Sequence, residues 1–362
     1  MWVAPPGAYV WMPPGAAPLP AALPPHRAGN VWPAGQRLSE PTELMSWGPE
    51  ELTGLSDDPL LIRPRLDWPH LMPLLNRSAP ARYLSQYNSL PTAAGSLRIE
   101  HEARWRSVLP LLSAPQVAKA PFSSSGRSVK FLPFPLPADA PPPFPYPFEL
   151  QTALKRESEW GLEYYIGKEG QPKLLWVTRF TTAARGAFGG SLAADPQRQY
   201  AALAQRIGAA TLSRLIEDHL QFLRREAAPY YRGYLGIDVL LYKKENHCLP
   251  NGGKQRPNEA NPCSDAGAEW GVHPFVELNL RYTMGCLAPE LWCNQRGMIR
   301  ERLGSDEALL CIQPIRPGAH ALMGAEGTTA KGTSKALLLS TPDSRSRFVA
   351  LLLPAPEALL TP

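Results

Sequence analysis

Dense apolar runs, rich in aromatic and β-branched residues, alternate with polar turns through the middle of the chain. EWGLEYYI and KLLWVTRFTT predict two strands, and the intervening GKEGQP has the composition of a hairpin turn. Asp195-Pro196 supplies an N-cap and a first-turn proline; beyond it Leu203, Ile207, Leu215 and Leu223 share much of one face and predict a single long amphipathic helix. YLGIDVLLYK and VHPFVELNLRY predict two more strands, separated by a Gly/Asn/Pro-rich loop from about Lys244 to Gly271. ALLCIQPI, ALLLST and RFVALLL predict three short strands in the tail. Upstream, LNRSAPARYLSQYNSL and HEARWRSVLPLL carry helical patterns, the second stopped near Pro110. QVAKAPFSSSGRSVKFL reads as strand, Ser/Gly turn and strand.

Proline alters this picture. The 42 prolines in 362 residues are more than double the roughly 5% of average usage. Eight of the eighteen residues from Phe131 to Phe148 are proline, which excludes a helix and forces polyproline-like extension. Residues 1–40 form a Pro/Ala-rich lead-in with Trp2, Trp11 and Trp32 as candidate anchors, and a docked and a disordered lead-in both remain open. Region 41–115 mixes short helical patterns with apolar pieces such as DDPLLIRP.

Charge and cysteines narrow the class. The formal charge of +5 comes from 37 basic and 32 acidic residues spread along the chain, with no basic arm for nucleic acid. Cys248, Cys263, Cys286, Cys293 and Cys311 contain no CxxC pair, so reduced thiols and a cytoplasmic location are expected rather than a disulfide framework. No apolar run approaches the roughly 20 residues of a membrane span. The proline-broken N-terminus lacks the basic start of a signal peptide.

The chemistry concentrates in three places. In a strand side chains alternate between faces, so Glu277, Asn279 and Arg281 of VELNLRY project from one side in a row. An acid, an amide oxygen and a guanidinium together suit a hard cation with bound phosphate. A solvated face on an edge strand is the plain alternative. GIDVLLY adds Asp238, which shares that cation if the two strands are neighbours. AKAPFSSSGRSV, with Lys119 before its turn, offers backbone N–H groups and hydroxyls to phosphates, although the P-loop spacing is missing.

In this order the elements resemble the ATP-grasp superfamily, of the glutathione synthetase ATP-binding-domain kind. They are most like a bacterial branch whose loop reads KAPxSSSGRGV and whose last strand reads HPCVEINLRxTMG. Here the text is KAPFSSSGRSV, LGIDVLL and HPFVELNLRYTMG, and the resemblance runs from about 117 to 288. It implies an α+β fold in which two subdomains clamp a nucleotide, with a degenerate N-terminal α/β subdomain at 41–115. The core would be 116–300, and 301–362 a small β-rich extension.

The same resemblance implies ATP and Mg²⁺ (or Mn²⁺) as cofactors. Asp238, Glu277 and Asn279 would be the metal ligands, with Glu277 and Arg281 catalytic. Arg77, Lys119, Ser123, Ser124, Ser125, Gly126, Arg127, Gln151 and Glu159 would bind ATP, the adenine lying between two sheets near residues 149 to 159. The implied activity is a ligase that activates a small carboxylate as an acyl phosphate for attack by an amine or thiol. An ATP-grasp phosphotransferase and a non-catalytic nucleotide-binding scaffold are the alternatives. Ser128 stands where the relatives' loop has a second glycine, Gln151 where a glutamate is expected, and Arg77 where many have a lysine. Ser128 and the proline run favour the scaffold; the intact Asp238, Glu277, Asn279 and Arg281 set argues against it.

Overall fold

Two antiparallel sheets, with helices laid on them, make an α+β fold. The computed structural model describes residues 67–122, 128–183, 186–244, 270–314 and 348–360, with short pieces at 10–11, 31–32, 42–43, 60–62 and 336–339. Most of the lead-in, the 245–269 loop with Cys248 and Cys263, and Ser123, Ser124, Ser125, Gly126 and Arg127 lie outside the described residues. Cys286, Cys293 and Cys311 are free thiols.

The smaller sheet contains β1 (Leu97–Ile99), β2 (Gln116–Lys119), β3 (Val129–Leu132) and β4 (Phe148–Thr152), in the order β1-β4-β2-β3. The larger contains β5 (Arg156–Ile166), β6 (Pro172–Thr182), β7 (Phe188–Ala193), β8 (Gly233–Lys243), β9 (Trp270–Asn279), β10 (Ala308–Pro314), β11 (Leu337–Leu338) and β12 (Phe348–Pro354). Its order is β9-β8-β5-β6-β7-β10-β12-β11, so the three tail strands continue the main sheet through β7. The proline stretch between β3 and β4 forms no helix and holds two cis peptide bonds, Phe134-Pro135 and Tyr146-Pro147.

The helices are α1 (Trp68–Leu75), α2 (Ala79–Gln86), α3 (Glu102–Val108), α4 (Pro196–Ile207), α5 (Ala209–Phe222), α6 (Met284–Leu303) and α7 (Glu357–Leu360). Asp195 caps α4 by accepting from the Gln197 N–H at 2.9 Å. The single long helix expected after it is two helices. Gly208 adopts φ 86°, a conformation open to glycine and costly for other residues, and it ends α4 and precedes α5.

Alternation sorts the main sheet into two faces. Trp160, Leu162, Tyr164 and Ile166 of β5 and Leu235, Ile237, Val239 and Leu241 of β8 bury against Leu203, Leu212, Leu215 and Phe222 of α4 and α5. Each such side chain contributes about 1.5–3 kcal/mol by leaving water. The intervening residues Glu159, Gly161, Glu163, Gly236 and Asp238 are left for the opposite face.

β9 breaks the alternation once. Asp238 pairs with Glu277 and Leu240 with His273, so Pro274, Phe275 and Val276 together lie opposite Val239. A proline is tolerated at such a bulge, where no ladder N–H is required. The extra length turns Phe275 into the core, stacked on Tyr83 with ring centroids 4.8 Å apart, while His273 and Glu277 stay on the other face.

The bulge is tied down from below. The Pro274 carbonyl accepts at 2.7 Å from His219 Nε2, so Nδ1 is the acceptor for the Tyr164 hydroxyl at 2.8 Å. Burial holds the His219 imidazole down at about 4, and burial with the Lys119 charge holds His273 down at about 3. Both stay neutral in the folded chain while their unfolded counterparts charge near 6.5. Their contribution to stability is therefore complete above pH 6.5 and falls away as pH drops toward 4, by at most about 1.4 kcal/mol per pH unit for each. Raised carboxyl pKa values act oppositely, so the test is a difference. Urea unfolding of wild type between pH 6.5 and 4 should show a steeper loss than His219→Gln, by up to one proton; equal slopes would refute a neutral buried His219.

Candidate active site

The face opposite the helical core carries the acids named from sequence. Asp238 and Glu277 stand directly across from each other on β8 and β9. Asn279, two residues on, places Nδ2 3.4 Å from Asp238 Oδ1, and its Oδ1 accepts from Arg281 Nη2 at 3.2 Å. As a cation ligand Asn279 would have to exchange that arginine.

Arg77 reaches this row from the link between α1 and α2. Its N–H donates to the Pro121 carbonyl at 2.9 Å, and its Nη1 pairs with Glu277 Oε2 at 2.8 Å while the side chain is buried. A residue far upstream in sequence thus joins the end of β2 to the acidic strand.

The smaller sheet supplies the facing groups. Lys119 of β2 lies opposite Glu149 of β4, and Gln151 is two residues along on the same face. Lys119 is buried, and burial, reinforced by Arg77, lowers its ammonium to about 8 against the pull of Glu277, Asp238 and Glu149. Glu149 Oε2 accepts from the Ser96 hydroxyl at 2.7 Å, and burial pushes its carboxyl up. Near Lys119 two buried atoms, Gln151 Nε2 and His273 Nδ1, have no hydrogen-bond partner, and Glu149 Oε1 has the Arg98 guanidinium at 3.6 Å. Buried polar groups left unpaired cost free energy.

Glu159 sits on the same face of β5 but is engaged. It accepts from the Thr182 N–H at 3.0 Å and the Thr182 hydroxyl at 2.8 Å, with Arg156 Nη1 at 3.3 Å. To hold ribose hydroxyls it would trade one of these contacts.

The residues fit a small hard cation. Burial first, then the charges of Glu277 and Glu163, pushes the Asp238 carboxyl well above the ordinary range, opposed by Arg281 and Arg77. Crowded carboxyls of this kind are relieved by a cation. Among the described residues no three of His, Cys, Asp and Glu cluster closely enough to hold a metal by themselves. Two carboxylates and an amide oxygen suit Mg²⁺, which keeps waters and shares phosphate oxygens. A separate cavity of about 220 Å³ between α4 and α7, lined by Trp160, Arg179, Arg198 and Leu359, contains none of these groups.

Glu149, Glu163 and His273 were not singled out from sequence. Alternation in EWGLEYYI already puts Glu163 on the face of Glu159, and His273 lies in the strand that carries Glu277. Glu149 stands two residues before Gln151, so alternation in FELQT puts both on one face.

No protein-family model and no curated protein matches the chain. Among solved structures it is similar to pyruvate carboxylase of Rhizobium etli, at 13% identity over 82% of this chain and 26% of that one, with a TM-score of 0.49. It is also similar to biotin carboxylase of Campylobacter jejuni, at 11% identity over 79% and 64% of the two chains, TM-score 0.47. A third is N5-carboxyaminoimidazole ribonucleotide synthetase of Thermus thermophilus, at 15% identity over 83% and 73%, TM-score 0.44. The chain therefore spans about a quarter of the first protein and less than two thirds of the second.

Proposed function

We propose that the chain is an ATP- and Mg²⁺-dependent ligase that activates a small carboxylate as an acyl phosphate for attack by an amine or thiol. The observation that carries this is the meeting of Asp238, Glu277, Asn279 and Arg281 with Arg77 and Lys119 across the two sheets. The motif resemblance to ATP-grasp proteins, in KAPFSSSGRSV and HPFVELNLRYTMG, supports the same reading.

Lys119 and Arg77 would hold the polyphosphate, and Arg281 would stand by the phosphoryl group being transferred. Asp238, Glu277 and Asn279 would hold Mg²⁺, or Mn²⁺ in its place, which when bound supplies charge neutralisation and alignment of phosphate oxygens. A substrate carboxylate oxygen attacks the γ-phosphorus as the bond to ADP breaks, and the amine or thiol then displaces phosphate from the acyl carbon. Catalysis here rests on alignment and fixed charge. None of the residues assigned above is a water-activating base, so little ATP hydrolysis is expected from the protein alone. A cytoplasmic location fits the reduced thiols, and among the described residues no helix is long and apolar enough to cross a membrane.

Hydroxylamine separates this proposal from its rivals. With ATP, Mg²⁺ and a panel of small carboxylates and amino acids, the accepting carboxylate should release ADP and yield a hydroxamate. ADP release with a phosphorylated alcohol, and no hydroxamate from any carboxylate, would make the protein a phosphotransferase. Tight ATP binding with no turnover across the panel would make it a scaffold.

A further inference from the structure

Glu163 is the deepest charged group on this face, 3% exposed, and three parts of the sequence are arranged around it. It lies across from Gly236 on β8, in the row that continues to Asn279 on β9. A Cβ at Gly236 would stand 2.5 Å from Glu163 Oε2, one at Gly161 2.4 Å from Oε1, and one at Gly285 1.8 Å from Oε1. Three glycines far apart in sequence, in EWGLEYY, LGID and YTMG, thus sit directly against one carboxyl. Glu163 Oε2 accepts from the Thr283 hydroxyl at 2.6 Å and lies 3.6 Å from Cys286 Sγ.

Thr283 has a second duty. Its Oγ1 accepts at 3.1 Å from the Cys286 N–H as the N-cap of α6, so its single hydroxyl proton is committed to Glu163. A second tie fixes the same turn, Thr178 Oγ1 donating to the Gly285 carbonyl at 2.8 Å. Arg281 lies between two anchored points, Asn279 in the sheet and Thr283 on Glu163.

We propose that Glu163 is the positioning residue of this centre: by holding Thr283 and the first turn of α6 to the sheet, it sets where Arg281 stands beside Asn279 and Asp238. The inference rests on the ligase reading, because it needs Arg281 to meet the transferable phosphate. Glu163 itself touches no substrate. Lys119 and Arg77, on other elements, are left in place when it is changed.

Calorimetric titration of the full chain with Mg·ADP and with Mg·AMP-PNP tests this. Glu163→Ala should weaken AMP-PNP by about tenfold or more, the cost of losing an outer-shell partner, and leave ADP nearly unchanged. Glu163→Gln keeps an oxygen acceptor for Thr283 and should restore most of the difference. Gly161→Ala, which crowds the carboxyl without removing it, should follow Glu163→Ala. If Glu163→Ala does not fold, Thr283→Val against Thr283→Ser decides, with only the valine variant losing AMP-PNP. Equal weakening of both nucleotides, or none of either, would overturn the positioning role. A wild type that binds neither nucleotide would instead refute the ligase reading on which this one stands.

Discussion

Glu277→Gln should leave the protein folded and remove almost all Mg²⁺-dependent stabilisation by ATP. The amide keeps the shape of the side chain and an oxygen to accept from Arg77, whose guanidinium lies 2.8 Å from the carboxylate. It loses the negative charge facing Asp238 across the strand pair. Two acids and an amide are few ligands for a divalent cation, so one lost charge costs more than the roughly 10–100-fold attached to outer-shell groups. In wild type, ATP at a hundred times its dissociation constant should add about 2.7 kcal/mol of stability. That gain should vanish when Mg²⁺ is withheld and should be absent from the variant with or without metal. Lys119→Met is the control, since it should weaken nucleotide binding without changing the requirement for metal. Thermal melts with ATP, with Mg²⁺ and with both would show it, and equal stabilisation of wild type with and without metal would refute the centre.

The acidic strands were readable because a strand face is a period of two and Asp238, Glu277 and Asn279 obey it, whereas Arg281, expected on the same strand face, lies past the end of β9, its N–H turned back to the Asn279 carbonyl at 3.0 Å. Their pairing in register is what alternation and a hairpin-like loop imply. The bulge at Pro274 was not readable. Alternation alone would put Phe275 beside His273 and Glu277, and only the tertiary demand of Tyr83 and Phe222 turns it away.

α6 escaped for a different reason. MGCLAPELWCNQRGMIRERL contains Gly285, Pro289 and Gly297, and Gln295 leaves helical geometry at φ −130°, so no clean apolar stripe runs along it. Glu163 escaped because an acid between apolar neighbours in a strand looks solvent-facing until α6 is known to cover it. The glycines around it read as turn or flexibility residues one at a time. Only the folded chain shows them sharing a single neighbour.

Phe275→Ala should be the most destabilising single change at this centre, at about 3–5 kcal/mol for a fully buried aromatic ring. Phe275 is 0% exposed and meets Tyr83 at 4.8 Å, Phe222 at 5.1 Å and His219 at 6.0 Å between ring centroids. These contacts span β9, α2 and α5, so no one element can close the cavity by shifting alone. Against a total stability of about 5–15 kcal/mol, the loss is large enough to move the midpoint of urea unfolding clearly. Phe275→Leu should cost less, because it refills much of the volume. The ring also fills the bulge that separates His273 from Glu277, which predicts a functional effect beyond stability. At a temperature where Phe275→Ala is still folded, Mg·ATP should bind more weakly than to wild type, since Glu277 is no longer held in register with Asp238. Retention of full Mg·ATP affinity would show that the strand pair alone sets the register. A stability loss below about 1 kcal/mol would place Phe275 outside the core that this packing defines.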